Sequence, residues 1–580
     1  MAAPKGIRYI PAIDGLRAIA VIAVILYHLG FNWIPGGFLG VDLFFVISGY
    51  VITRLLLDSI QRSGGLDLRG FYAGRVRRLL PPLLFMLVIT SIFVGVWAPD
   101  SMRRFLTDAP FAITGLMNWW LVFKHQDYFE SFGRPPLLQH TWSLGVEAQY
   151  YLIWPLILYF VLKVFGKKVI PTAALAIATF SGIALFLASI RADISSAQDV
   201  SHVYFGTDTH SIGLFLGSAL AVSWIPQNLR MNIEKKAQDF IDCIGVFGLI
   251  GLLASFLFIQ EADPTAYRIA FPIVGLFGSA IIMSVVHPAS RFAPILQSPV
   301  LVWIGERSYA IYLWHWIVFQ VTRPAQDLAG STWALYTFRI LVVFALADIS
   351  QRWIEIPFRH GLVSNWFRGM KYRTKEVQRR QKATAGLVSL ALLATIAAVS
   401  TNAIAIADKN NEVVKQMFKD DKVATISKID GLWVVGDSVI LGIRNELETK
   451  SHIRLINARV GRQADELLDV IKHDKAKMVG MKTVINLGNN NRLTSQEVSD
   501  IFIELKDQPL VVVVNTAVPR GWRDENNSLI QEEANKYSNF RVIDWAQKSE
   551  NHPEFFAPDG VHLIPAGIAA YVAAITNYLY

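Results

Sequence analysis

The chain has 580 residues, 53% of them hydrophobic and 17% charged, with a formal charge of +9 and a mean hydropathy of +0.37. That length exceeds one ordinary domain, and the hydropathy excludes a wholly soluble protein. The single cysteine, Cys243, excludes an intramolecular disulfide. Most of the basic residues fall in loops between apolar segments, where positive-inside bias accounts for them and no nucleic-acid partner is needed.

A membrane core about 30 Å thick needs roughly 20 apolar residues per helix. Eleven spans are expected, near 10–29, 40–57, 80–97, 147–165, 170–190, 210–225, 242–259, 268–286, 301–320, 334–352 and 386–406. The first carries Asp14 and Arg17 and leads into more of the same, so no cleavable signal peptide is expected. The stretch 105–123 is apolar enough for a twelfth span, but charge decides against it. Basic loops precede span 3 (Arg62, Arg69, Arg75, Arg77, Arg78), span 7 (Arg230, Lys235, Lys236) and span 11 (Arg359 through Lys382). Eleven spans put all three on one side, which must be cytoplasmic. Residues 98–146 are then an outer loop with room for an interfacial helix, the N-terminus is inside, and the C-terminal domain is outside the membrane.

Four regions result: a membrane domain over 1–360, a basic cytoplasmic loop with the eleventh helix over 361–406, a polar lysine-rich linker over 407–430, and a soluble domain over 431–580. In the last, apolar runs at Leu432–Val435, Arg454–Asn457, Thr483–Leu487, Leu510–Val514 and Arg541–Ile543 alternate with helical patterns. That alternation predicts a doubly wound α/β domain with a parallel sheet covered on both faces.

Ionisable residues inside spans are costly and mark function or pairing. Arg17 and His28 lie eleven residues apart, three helical turns, so they share a face about 16 Å apart along the axis. An Asp14–Arg17 structural pair with an interfacial histidine is the plainer alternative. Other polar strings are Phe44 to Tyr50 with Ser48, Arg75 to Pro81, His140 to Glu147, Tyr204 to Ser211 with Asp208 and His210, and Tyr312 to His315. Arginines at an inner mouth suit anionic phosphates.

In this order, Asp14-Gly15-Leu16-Arg17, His28, the Phe-Phe-Val-Ile-Ser-Gly-Tyr segment, Arg75-x-x-Arg78-x-x-Pro81 and Trp142-Ser143-Leu144 with Glu147 resemble the acyltransferase-3 family over roughly residues 8–360. The resemblance implies a ten-helix membrane domain that passes an acyl group, usually from cytoplasmic acetyl-CoA, to a carbohydrate on the far side. It makes Arg17 and His28 the essential pair, Arg75 and Arg78 the donor-binding arginines, and Glu147 a motif acid. Asp14, Ser48, Asp208 and His315 are further candidates. His210 departs from the pattern, which has arginine there.

In the outer domain, Gly436-Asp437-Ser438 ends an apolar strand and opens an amphipathic helix, Val439 to about Lys450. Asp559-Gly560-Val561-His562 precedes Pro565, a good first residue for a final helix over 565–579. Ser438 as nucleophile, His562 as base and Asp559 as orienting carboxylate make a triad. With Gly461 and Gly488-Asn489-Asn490 between them, these blocks resemble the SGNH hydrolase family. That likeness implies an oxyanion hole from the backbone N–H groups of Ser438 and Gly461 and the Asn490 amide, with Asn489 as the competitor. Val439 and Asn491 depart from the usual leucine and aspartate.

The two halves together resemble the peptidoglycan O-acetyltransferases of Gram-positive bacteria, which acetylate the C6 hydroxyl of N-acetylmuramic acid and so confer lysozyme resistance. The expected protein is a multi-pass enzyme of the cell membrane that uses acetyl-CoA, no metal and a surface glycan acceptor. An O-acetyltransferase of another exported polysaccharide and a membrane-anchored esterase remain as alternatives.

Overall fold

Pro11 in the first turn, where a missing N–H costs nothing, opens helix α1 (Pro11–His28). The chain is seen here as a computed structural model that describes residues 9–31, 33–63, 65–124, 135–191, 201–260, 266–322, 332–417, 431–459, 462–557 and 560–579. Helix α2 (Gly40–Ser63) follows, then α3 (Leu68–Trp97), whose Asp67 cap accepts a hydrogen bond from the Gly70 N–H at 2.8 Å. That cap starts the helix well before the expected span. Arg75 and Arg78 therefore sit on α3 itself, not in a loop, and Pro81 and Pro82 lie within the helix. Two helices, α4 (Met102–Thr114) and α5 (Met117–Phe123), lie in the stretch expected as an outer loop.

Next come α6 (Trp142–Val164), α7 (Ile170–Arg191), α8 (Ser201–Phe205), α9 (Thr207–His210) and α10 (Ile212–Ser223). The expected span 210–225 is thus a broken element. Its break is buried in protein, where His210 bonds through Nδ1 to the Tyr204 carbonyl at 2.6 Å and through Nε2 to Asp42 at 3.0 Å. Irregular backbone at membrane depth is tolerated under those conditions. Beyond it lie α11 (Lys235–Phe258), α12 (Phe271–Val285), α13 (Ala293–Leu296), α14 (Pro299–Val321), α15 (Thr332–Ile349), a π-helical stretch Ser350–Glu355, α16 (Ile356–Arg359), α17 (Leu362–Met370) and α18 (Lys375–Met417).

Among the described residues, nine helices are long and apolar enough to cross a membrane. The two other expected spans are α10, only 12 residues long, and α14, which has 23 residues but carries Glu306, Arg307 and His315. Small residues let the helices meet closely: a Cβ on Gly49 of α2 would stand 1.9 Å from the Leu214 carbonyl oxygen of α10. In α18 only 6% of the apolar window is buried within the protein, as expected of a lipid-facing helix.

The C-terminal domain runs β1 (Leu432–Gly436), α19 (Ser438–Lys450), β2 (Ile453–Ala458), α20 (Ala464–Asp474), β3 (Thr483–Asn486), α21 (Ser495–Leu505), β4 (Val511–Val514), α22 (Arg523–Ala534), β5 (Phe540–Ile543), α23 (Trp545–Lys548) and α24 (Pro565–Leu579). All four strand pairings are parallel, in the order β2-β1-β3-β4-β5. Alternate residues of β1 serve opposite faces. Leu432 and Val434 pack with Ile440, Ile443, Tyr571 and Ile575, whereas Trp433 and Val435 pack with Leu467, Ile501 and Phe502. This is the doubly wound fold expected from the alternating pattern, following a helical membrane region. In such a sheet ligands bind where the strand order reverses, which here is the crevice beyond the carboxyl ends of β1 and β3.

Candidate active site

Ser438 opens α19 directly beyond the end of β1. It is buried, 1% exposed, and its Oγ has no hydrogen-bond partner among the described residues. The turn is tight: a Cβ on Gly436 would lie 2.2 Å from Asn486 Oδ1 and 2.4 Å from Ile440 Cγ1. His562 is also buried, 4% exposed. Its loop is pinned by the Ala557 N–H donating to the His562 carbonyl at 2.7 Å and by a bridge between Phe556 and Leu563. Asp559 and Gly461 lie outside the described residues.

Asp437 is the hub of the site. Its Oδ1 accepts from the Val439 N–H at 2.9 Å and from Asn486 Nδ2 at 3.1 Å. Its Oδ2 accepts from Asn489 Nδ2 at 2.9 Å and from Asn490 Nδ2 at 3.0 Å. Burial raises the pKa of this carboxyl above the ordinary value, and the Val439, Asn486 and Asn489 donors and nearby His562 offset the rise in part. The Asn490 amide has a second acceptor, the Arg462 carbonyl at 3.0 Å, so both its N–H groups are engaged. Asn489 shares the hub, so both candidates for the oxyanion role are anchored on one carboxylate.

The membrane domain holds a cavity of about 1200 Å³ lined by Asp14, Arg17, Ser48, Arg75, Arg78 and Glu147, six residues named from the sequence. Arg54 and Arg359 also line it. Arg17 pairs with Asp14 at 3.2 Å, and Asp14 accepts from the Tyr9 hydroxyl at 2.8 Å. Arg78 stands 3.8 Å from Glu355. Ser48 donates to Glu147 at 2.6 Å and Tyr151 donates to it at 3.0 Å. Two buried guanidinium atoms, Arg75 Nε and Arg54 Nη1, have no partner among the described residues. Unsatisfied cationic donors around a large cavity are the chemistry that receives phosphate oxygens.

His28 is not on that cavity. It ends α1 and meets His315 of α14, with His28 Nδ1 and His315 Nε2 3.2 Å apart. The His140 ring stands 5.9 Å from that of His315. Asp208 is elsewhere again, half-exposed and paired with His202 at 3.1 Å.

The acyltransferase-domain family Acyl_transf_3 matches residues 10–352, which hold the whole arginine-lined cavity except Tyr9, Glu355, Ile356, Arg359 and His360. The chain belongs to the acyltransferase-3 family. Its full length is also similar to curated members. The chain is 32% identical to the peptidoglycan O-acetyltransferase OatA of Listeria monocytogenes over 99% of this chain and 98% of that one. It is 35% identical to the O-acetyltransferase OatA of Staphylococcus aureus strain NCTC 8325, over 98% and 96%. A solved structure of the C-terminal catalytic domain of Streptococcus pneumoniae peptidoglycan O-acetyltransferase A, with a methylsulfonyl adduct, covers 27% of this chain and 93% of that one. Its identity is 24% and its TM-score 0.24, a likeness too low to bear on the site. As an acyltransferase-3 member with many apolar helices, the chain is a multi-pass membrane protein.

Sequence reasoning about this acyltransferase-3 chain missed Arg54, Glu355 and the hub role of Asp437. Arg54 was visible as a lone charge near the end of an apolar span. Glu355 reaches the cavity wall from the π-helical stretch, a local geometry with no sequence signature. Asp437 stood inside the serine motif, but three of its four donors come from the distant stretch 486–490.

Proposed function

We propose that the protein is a peptidoglycan O-acetyltransferase that moves acetyl from cytoplasmic acetyl-CoA across the membrane to the C6 hydroxyl of N-acetylmuramic acid. The N-terminus and the arginine cavity then face the cytoplasm, and the domain from Leu432 onward faces the wall. The observation that carries this reading is the convergence of Arg17, Arg54, Arg75, Arg78 and Arg359 on one cavity, in a chain whose C-terminal sheet presents a buried serine at its switch point. The name of the full-length Listeria monocytogenes relative supports the acceptor class.

Acetyl-CoA fits the residues present, since its phosphates offer acceptors to the unpartnered Arg75 Nε and Arg54 Nη1. When bound it would supply a thioester acyl group. Arg75, Arg78 and Arg54 hold the phosphates, and Arg17, itself held by Asp14, adds positive charge at the cavity wall. His28 is the base of the membrane domain, and Glu147 is held ready by Ser48 and Tyr151. Outside, His562, oriented by Asp559, takes the Ser438 proton as Oγ bonds to the acyl carbon, and it returns that proton to the group that delivered the acyl as the bond between them breaks. The glycan hydroxyl then attacks that carbon, its proton passes to His562, and His562 gives it to the Ser438 oxygen as that oxygen leaves. The helix N-terminus at Ser438 and the backbone N–H groups of Ser438 and Gly461 stabilise the oxyanion, and the Asn490 amide joins them when one of its N–H groups leaves the Arg462 carbonyl.

The test is wall O-acetylation in cells carrying Ser438→Ala at normal membrane levels. A transferase loses acetyl esters, and a deacetylase, the competing use of the same triad, gains them. Mass spectrometry of the glycan strands locates the ester. Acetyl found only on another polysaccharide would overturn the acceptor assigned here.

A further inference from the structure

Three histidines from three segments gather beyond the inner cavity. His28 ends α1, His315 lies mid-way along α14, and His140 precedes α6. His315 and His140 are fully buried, whereas His28 is only partly so. The bonds within the cluster, with a further bond from His28 to the Val24 backbone of its own helix, bear on which nitrogens carry protons. His315 Nδ1 lies 2.7 Å from the Tyr312 carbonyl. A carbonyl only accepts, so His315 Nδ1 is protonated and, in a neutral ring, its Nε2 is the acceptor. The partner of that acceptor at 3.2 Å is His28 Nδ1, which must then be the donor. In a neutral His28 the lone pair is left on Nε2.

We propose that His315 is a positioning residue, which holds His28 in the Nδ1–H tautomer so that Nε2 is the nitrogen that takes a proton from a hydroxyl. The inference rests on the reading of His28 as the base of the membrane domain. When an acceptor hydroxyl gives its proton to His28 Nε2, its oxygen would bond to the thioester carbon of the donor as the C–S bond breaks, the leaving thiolate then taking up the proton, and until that release the imidazolium still donates through Nδ1 to His315. His315 stays neutral and never touches substrate, consistent with its complete burial. Trp316, whose ring meets His28 edge-on at 5.0 Å and whose Nε1 donates to the Pro136 carbonyl at 2.8 Å, fixes the other side of the ring. A partner that orders a catalytic imidazole in this way acts on its tautomer and orientation.

The experiment uses the full chain expressed in cells lacking their own copy, with wall O-acetyl content as the readout. His28→Ala is scored first: activity retained there overturns the reading of His28, independently of His315. With that loss established, His315→Gln and His315→Met are compared at matched membrane levels. The two side chains are close in size, so a folding defect would affect both alike, but only Gln offers an oxygen near the place of Nε2. His315→Gln is expected to keep at least a third of the activity, and His315→Met to lose about thirtyfold or more, since a wrong tautomer costs up to about 10⁴ in a serine triad. Equal activity in the two variants, whether both high or both low, overturns the positioning role.

Discussion

Asp437→Asn changes one atom of the outer site and should destabilise the domain that holds it. The carboxylate accepts four hydrogen bonds, two at each oxygen, from Val439 N–H and Asn486 and from Asn489 and Asn490. An amide in its place keeps one oxygen and turns an NH₂ toward two donors. Hydrogen bonds to charged groups are worth about 1.5–3 kcal/mol each, so losing two costs about 3–6 kcal/mol. Relief of the buried charge returns part of this, leaving a net loss of about 2–5 kcal/mol against the 5–15 kcal/mol typical of a domain. For about 150 residues that is a fall in Tm of roughly 5–15 °C, read from tryptophan fluorescence of the purified chain, to which Trp433 and Trp545 contribute. Turning the Asn490 amide to offer its oxygen would break the bond to the Arg462 carbonyl as well, so ester hydrolysis should fall with stability. The sign with pH is also set. Because burial raises the Asp437 pKa, the stability contributed by its proton is fully present below the ordinary carboxylate range near 4 and is lost as pH rises through the folded value. The variant lacks that proton, so the gap between wild type and variant should widen as pH falls from 7 towards 4. A Tm within 2 °C of wild type at both pH values would refute the hub.

Gly436→Ala places a methyl against Asn486 Oδ1 and Ile440 Cγ1; overpacking of this kind costs about 1–3 kcal/mol, and hydrolysis of an activated ester by the purified chain should fall at least tenfold. Arg75→Gln removes a cavity cation with an unsatisfied Nε and should raise the KM for acetyl-CoA about tenfold, measured in membrane vesicles, with kcat within about threefold. Gly488→Ala puts a side chain at φ +89° with Asn526 Nδ2 2.9 Å away; it should lower Tm by several degrees and displace the Asn489–Asn490 loop, seen as lost esterase activity.

The outer domain was legible almost to the residue, because its signals are local. Alternation of apolar runs and helices sets a parallel sheet, and Pro565 fixes the start of α24 as expected. In the membrane half, the polar strings singled out Arg17, Arg75, Arg78, Ser48 and Glu147, which share one cavity, but nothing in their order said that they would meet. What the strings did not foretell was the partition. His28 and Arg17 lie on one helix, yet His28 belongs to a histidine cluster built from α14 and the loop before α6. Helical spacing sets distance along an axis; only the neighbouring helices decide which side chains close around each end. The break at His210 was illegible for the same reason, since its cause is Asp42, far away in sequence.

The boundary between cavity and histidines is itself a short piece of chemistry. Phe44 and Tyr312 line the cavity wall with their rings 6.5 Å apart, and His315 is one turn beyond Tyr312 on the same helix. The Tyr312 hydroxyl donates to the His140 carbonyl at 2.8 Å and lies 2.8 Å from Ser143 Oγ, while its own carbonyl holds His315 Nδ1. One residue therefore closes the cavity, ties α14 to the entry of α6, and sets the proton on the ring that orders His28. A shift of α14 large enough to open the wall would also disturb that ring. Tyr312 thus borders the cavity on one side and orders the histidine cluster on the other.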